Sequence, residues 1–288
     1  MPSPNVLILG SGASAGYAYR ACRDAGILPR VMSSEMPDRT RGAFWLRWLP
    51  DSVRSEVPKW KIVIEAVGTQ EVYLKKQWGE RYEPGMDSSF PSRATALQVY
   101  NPTLGSKALW EDAQIEFCDL LTDEDILELA RGYDLVIQTF SPSFAYTYKP
   151  SLGVVWVTSI PVYYNSSDSV GSCIYDGTLT TPWIRRTEAW GEFNLEFGSE
   201  DEARAKRFPL DNLKSSGQLA YTDIGIRSYP NLAPGTTPLE PGCLGGNILL
   251  TGRFALWDKR ELSHYSYARV MNELRYRFNL TALEKPDV

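Results

Sequence analysis

The stretch Asn5-Val-Leu-Ile-Leu-Gly10-Ser-Gly12-Ala-Ser-Ala15-Gly16 decides how the rest of the chain is read. Its opening, NVLIL, is a short apolar run of the kind that forms a strand buried on both faces. Gly10 permits a tight turn off that strand. Gly12 has no Cβ, so backbone N–H groups can approach a pyrophosphate. Ala15 holds the third small position, where helix and strand pack closely. The helical pattern YAYRACRDAG follows and stops at Gly26. LPRVMSSE then reads as a second strand ending on Glu35. Strand, glycine turn, helix, strand and acid make a βαβ unit for a dinucleotide. The helix N-terminus turns unpaired N–H groups and a partial positive charge toward the phosphates. Glu35 is placed to accept hydrogen bonds from the adenosine ribose, and an acid there disfavours a 2′-phosphate. The motif alone does not separate FAD from NAD.

The bulk of the chain narrows the class. Its 288 residues suffice for one large domain or two moderate ones, and 43% hydrophobic with 23% charged content is ordinary for a folded soluble protein. The net charge of −5 provides no global attraction to nucleic acid or anionic membrane. No apolar run approaches a membrane span, and the start lacks the regions of a signal peptide. The four cysteines, Cys22, Cys118, Cys173 and Cys243, show no CxxC spacing and read as reduced thiols of a cytoplasmic protein. One histidine, His264, rules out a three-histidine metal site. No metal site is expected.

Outward from the opening motif, further strands are expected at 61–67, 134–139, 154–158 and 247–251. Thr122 caps a helix over EDILELARG, and a closing helix runs from about Ser263 to Phe278. Residues 160–198 alternate as antiparallel strands do. Residues 81–109 read as irregular, Ser199–Arg207 as a short charged helix or loop, and Glu71–Glu80, EVYLKKQWGE, as a charged edge or loop. The expected fold is α/β: a Rossmann-like FAD-binding sheet with an inserted, mainly antiparallel β-rich lobe. The first domain takes residues 1–60, 121–159 and 243–288. The second takes 61–120 and 160–242, with soft boundaries.

Four segments in order carry a resemblance. They are GSGASAG with Glu35, YLKKQWG, Pro182-Trp-Ile-Arg-Arg-Thr-Glu188 followed by EFNLEFG, and Gly252-Arg-Phe-Ala-Leu-Trp-Asp258. In these segments the chain resembles the FAD-binding superfamily of UDP-galactopyranose mutases and, more distantly, amine oxidases. The resemblance implies FAD as cofactor, held by Gly10, Gly12, Ser14, Ala15, Glu35, Gly252 and Arg253. It also implies a shortened form, because only 38 residues separate Glu35 from Tyr73 where the mutases carry a helical substrate domain with a mobile lid. The mutase tyrosines that hold the sugar nucleotide have no recognisable match. An uncovered flavin would suit a large or polymer-attached substrate, or a lid from a second subunit in an oligomer. Some bacteriophages encode compact flavin proteins in pathways that elaborate DNA thymines, and the trimmed form fits a modified base in phage DNA.

Candidate working residues follow. His264, near the start of the last helix, is a proton donor or acceptor whose pKa the helix dipole would lower. Asp258 and Lys259 are alternatives for acid–base work. By resemblance Arg185 lies near substrate phosphates, and Arg186 shares or swaps that role. Trp45, Trp48, Trp78 and Trp257 could line a flavin or a planar base, although tryptophan is more often core. Lys75, Lys76, Arg39, Arg41 and Arg47 could form a basic rim for a nucleic-acid backbone. Three readings stay open: an FAD-dependent oxidoreductase or lyase acting at an amine- or hydroxyl-bearing carbon, a mutase-like isomerase on a nucleotide sugar, and a non-catalytic nucleotide-binding protein.

Overall fold

The computed structural model describes residues 3–36, 45–142, 152–161, 170–190, 192–198, 225–232, 238–239, 244–256 and 260–280. In chain order the strands and helices are β1 (Val6–Leu9), α1 (Ala13–Asp24), β2 (Arg30–Ser33), α2 (Asp51–Arg54), β3 (Lys59–Gly68), α3 (Gln70–Trp78), β4 (Thr95–Tyr100), α4 (Pro102–Leu109), β5 (Ile115–Phe117), α5 (Asp123–Ala130) and β6 (Leu135–Gln138). They continue with β7 (Leu152–Pro161), β8 (Val170–Gly177), β9 (Arg185–Ala189), β10 (Glu192–Phe197), β11 (Gly225–Leu232), β12 (Ile248–Leu250), α6 (Arg253–Leu256) and α7 (Tyr265–Phe278). Two compact units result. One comprises residues 1–57, 102–150 and 236–288, the other 58–101 and 151–235. No helix among the described residues is long and apolar enough to cross a membrane.

The first unit is built on a five-stranded sheet, β12-β6-β1-β2-β5, whose neighbours all run parallel. Both faces of β1 are buried, as its unbroken apolar run requires. Val6 and Ile8 point into a core with Ala15 and Ala18 of α1 and Val270 and Leu274 of α7. Leu7 and Leu9 point the other way, onto Ile126 and Ala130 of α5. Each such buried aliphatic side chain stabilises the unit by about 1.5–3 kcal/mol relative to exposure. Thr122 begins α5 with a complete capping box: its hydroxyl accepts from Asp125 N–H, and the Asp125 carboxylate accepts from Thr122 N–H. The sheet uses the strands expected around 5–9, 30–35, 134–139 and 247–251. It adds the edge strand β5, which the sequence reading assigned to the other lobe. Residues 102–120 belong to this unit, and 151–159 to the other.

The second unit is a seven-stranded sheet in the order β11-β7-β10-β9-β8-β3-β4. All its pairs are antiparallel except β3 with β8. One face, carrying Ile62, Ile64, Cys173, Tyr175 and Thr187, is buried. Helix α3 supplies Tyr73, whose ring lies 5.7 Å from that of Tyr175. EVYLKKQWGE is therefore mostly helix, which corrects its reading as an edge or loop. Thr69 starts α3 by accepting a hydrogen bond from Val72 N–H, and Glu71 pairs with Lys75 one turn on. Residues 81–109, read as irregular, contain β4 and all of α4. Pro102 at the first helical position, which needs no N–H there, is the signal for α4.

Candidate functional site

The first sheet fixes where a ligand can lie. In chain order its strands stand third, second, first, fourth and fifth across the sheet, so the direction of winding reverses between β1 and β6. In an open parallel sheet the crevice outside the carboxyl ends of those two strands is the binding position. Gly10 leaves β1 there with φ 107°, and a Cβ would stand 2.4 Å from Thr139 Oγ1. That hydroxyl donates to the Leu9 carbonyl at 2.9 Å and closes the turn onto the end of β6. Gly10 thus serves both conformation and close approach.

Helix α1 begins immediately after. Gly12 is its N-cap, with extended ψ of 179°, no side-chain cap and no acid in the first turn. A Cβ on Gly12 would meet nothing within 4 Å. Helix N–H groups thus begin behind open space, without a competing side-chain acceptor, which is what an anion of this chain's expected type requires. Ala15 is fully buried on the β1 core. From the far end of the chain, Gly252 reaches the same turn. It has φ 95°, and a Cβ there would come within 2.4 Å of Ser14 Oγ. Half-buried Arg253 follows and opens α6. Glu35 is exposed just beyond β2, and its carbonyl accepts from Ser11 Oγ at 2.7 Å. Gly10, Gly12, Ser14, Ala15, Glu35, Gly252 and Arg253 therefore gather around one end of one sheet.

His264 is the N-cap residue of α7 but makes no side-chain cap. It is packed in an aromatic group. Its ring centroid lies 6.4 Å from both Tyr17 and Trp48 and 4.5 Å from Tyr265, and Tyr17 stacks on Trp48 at 6.2 Å. Tyr17 lies in α1, on the turn after the glycine motif. Burial first, and the nearby Arg47 charge second, hold the imidazole below its usual pKa. The direction is the expected one, and its causes are desolvation and a neighbouring cation. Trp45 is half-buried in the same unit.

The second unit holds Arg185, Arg186 and Trp78. Arg185 and Arg186 are successive on β9 and so face opposite sides of the sheet. Arg185 ion-pairs with Glu196, which is 2% exposed, and donates to Tyr175 Oη at 3.0 Å. Arg186 pairs with Glu188 at 3.1 Å; burial lowers the arginine pKa and raises that of Glu188. The two arginines therefore do not form one clamp on one face, which leaves the exchange of roles between them as the form of that expectation compatible with the strand. Trp78 is 1% exposed, a core side chain of this unit. Lys76 is turned inward, donating to Asp176 Oδ1 at 2.8 Å, to the carbonyls of Asp176 and Thr178, and to Thr181 Oγ1. It does not belong to the expected basic rim. Trp257, Asp258, Lys259, Arg39, Arg41 and residues 199–207 lie outside the described residues. No cluster of metal-ligating side chains occurs among the described residues.

Sequence reasoning overlooked Ser11, Ser33, Tyr17 and the inward role of Lys76. Only the buried face of α1, read as a helix, could have pointed to Tyr17.

This geometry defines the class: a doubly wound α/β unit joined in sequence to a mainly antiparallel sheet. No protein-family model and no curated protein matches the sequence. Among solved structures, reduced UDP-galactopyranose mutase aligns over 99% of this chain and 95% of its own, with 12% identity and a TM-score of 0.59. The flavin-dependent halogenase CmlS aligns over 98% of this chain at 12% identity and a TM-score of 0.54, and the chain spans 59% of its length. A flavoprotein/dehydrogenase from Cytophaga hutchinsonii aligns over 96% of this chain and 78% of its own, at 12% identity and a TM-score of 0.51. Identities this low establish the fold, which is that of flavoproteins.

Proposed function

We propose that the chain is an FAD-dependent enzyme, an oxidoreductase or lyase acting at an amine- or hydroxyl-bearing carbon of a large or exposed substrate. The observation that carries this reading is the turn at the β1–β6 switch point. There an uncapped α1 faces open space, and Gly252 of a distant segment is pressed against Ser14. Gly10, Gly12 and Ser14 would hold the pyrophosphate, Glu35 the adenosine ribose, and Gly252 with Arg253 would close the site. FAD, when bound, supplies a two-electron acceptor that no side chain of this protein can replace. The chain's own contribution is to orient it, exclude water and handle protons. His264, its pKa lowered, is neutral at neutral pH and can accept the proton of a substrate hydroxyl or amine at an imidazole nitrogen.

The mutase-like alternative asks Arg185 to contact substrate phosphates. Its guanidinium is already engaged by Glu196 and Tyr175, which weighs against that reading. A modified base in phage DNA fits the polymer-attached class of substrate. Among the described cations of the expected rim, exposed Arg47 of the first unit could meet a phosphate backbone.

The deciding experiment is purification of the full chain and its absorption spectrum. A flavin band, with FAD released on denaturation, is expected. A colourless protein that cannot be reconstituted with FAD would overturn the proposal. Incubation of the reduced protein with UDP-galactopyranose separates the alternatives, since furanose product would establish the isomerase.

A further inference from the structure

Two serines outside the glycine motif's usual positions link its two halves. Glu35 N–H donates to Ser33 Oγ at 3.2 Å, Ser33 Oγ donates to Ser11 Oγ at 3.0 Å, and Ser11 Oγ donates to the Glu35 carbonyl at 2.7 Å. The path is closed. It leaves the backbone of Glu35, passes through both hydroxyls and returns to the backbone of Glu35. Hydroxyls that donate and accept in one sense polarise one another, so such a ring is stiffer than three separate bonds. Ser33 is 6% exposed and anchored in the sheet, its own carbonyl accepting from Cys118 N–H at 3.1 Å. Ser11 stands between the two glycines of the turn. The ring therefore ties the residue that reads a ribose to the turn that approaches a pyrophosphate, although Glu35 itself is on an exposed segment.

We infer that Ser11 and Ser33 are positioning residues that fix Glu35 for recognition of a ribose 2′-hydroxyl. This rests on the dinucleotide reading above. Loss of the ring removes two hydrogen-bonded anchors of the Glu35 backbone, so holding its carboxylate on the hydroxyl carries a larger entropic cost. The turn itself keeps its separate hydrogen bond, from Gly10 N–H to the Met32 carbonyl at 2.8 Å, so phosphate contact should survive loss of the ring.

The test is calorimetric titration of the nucleotide-free full chain with ADP and with 2′-deoxy-ADP. Wild type is expected to prefer ADP by about tenfold, the value of one hydrogen bond to a charged acceptor. Ser11→Ala should bring that ratio close to one while changing the 2′-deoxy-ADP affinity by less than about twofold. Ser11→Thr, which retains the hydroxyl, should restore the ratio. Adding Ser11→Ala to Glu35→Gln should produce no further loss of preference. If Ser11→Ala does not fold, Ser33→Ala is read by the same ratio. An unchanged ratio in the alanine variants overturns this inference alone, as does an equal loss for both ligands, which marks a merely structural role. A wild type without affinity for ADP overturns the dinucleotide reading together with it.

Discussion

Lys75 and Lys76 are neighbours of identical chemistry with opposite fates. Lys75 is 55% exposed and pairs with Glu71 on the helix surface. Lys76 is 12% exposed against an Asp176 that is 6% exposed. Burial alone would raise the Asp176 pKa, but the Lys76 ammonium and the Thr178 donors outweigh it and hold the carboxyl low. Removing Lys76 would strand a buried carboxylate. Lys76→Ala should therefore cost about 3–5 kcal/mol. Lys75→Ala should cost less than about 0.5 kcal/mol. Urea denaturation of both variants measures the contrast, and equal small losses would mean the buried pair does not hold α3. Because the Asp176 pKa is depressed, its stabilisation is present above about pH 4 and is lost as pH falls through the lower folded value.

The single histidine allows a cleaner residue-scale test. Its pKa is lowered from 6.5, so the fold favours the neutral ring. Its stabilising contribution is thus present above the unfolded value and is lost as pH falls through the folded one. One imidazole should titrate by NMR with a midpoint below 6.5, and His264→Gln should flatten the stability profile just below that pH. A midpoint above 6.5 would remove the neutral base from the proposed chemistry. Lys76 and His264 also show why residue roles were only partly legible in sequence. A lysine's direction and a histidine's desolvation depend on packing partners a hundred or more residues away, such as Asp176 for Lys76 and Trp48 for His264.

Helices α3 and α5 carry side-chain caps, at Thr69 and Thr122, whereas α1, α2 and α7 have none. For α1 the missing cap falls at the switch point, where a side-chain acceptor would occupy donors that a phosphate needs. Gly12→Asp exchanges one property for the other. Its backbone is extended and its Cβ would meet nothing, so an aspartate cap can form. The nucleotide-free protein should gain a few tenths of a kcal/mol. Affinity for FAD should fall by at least about tenfold, because the carboxylate competes for the N–H groups and repels the pyrophosphate. Thermal melts and a binding titration check the two halves, and retention of full FAD affinity would place the cofactor elsewhere. Elements differed in legibility for similar reasons. The strands of the first sheet announce themselves as unbroken apolar runs, and α5 by its acidic cap. Helix α3 buries Tyr73, Leu74, Gln77 and Trp78 in a pattern interrupted by lysines. Strand β5 is three residues long with Phe117 exposed, too short for any periodicity. The serine ring cannot be read at all, since Ser11 and Ser33 meet only once β1 pairs with β2.

At the scale of the molecule, each unit is assembled from separated pieces of chain, three for the first and two for the second. Composition and motif order were sufficient to expect a Rossmann-like sheet with a β-rich insertion, because the glycine turn and its flanking strands constrain topology strongly. Boundaries between the units were not legible: a proline stands at each crossing, Pro58, Pro102, Pro150 and Pro234, but prolines recur elsewhere along the chain and so do not single these crossings out. The core of the first unit joins Val6 and Ile8 to Leu249, Val270 and Leu274. That union imposes a timetable on biosynthesis. A chain emerging from the ribosome makes its glycine turn long before Gly252, the residue that presses against it. Strands of the second sheet, from residue 59 to 232, are all available earlier. Contacts this distant in sequence are in general slow to close. On the proposed reading the site is complete only once Gly252 has been made, so nucleotide loading would follow synthesis of the second sheet rather than accompany it.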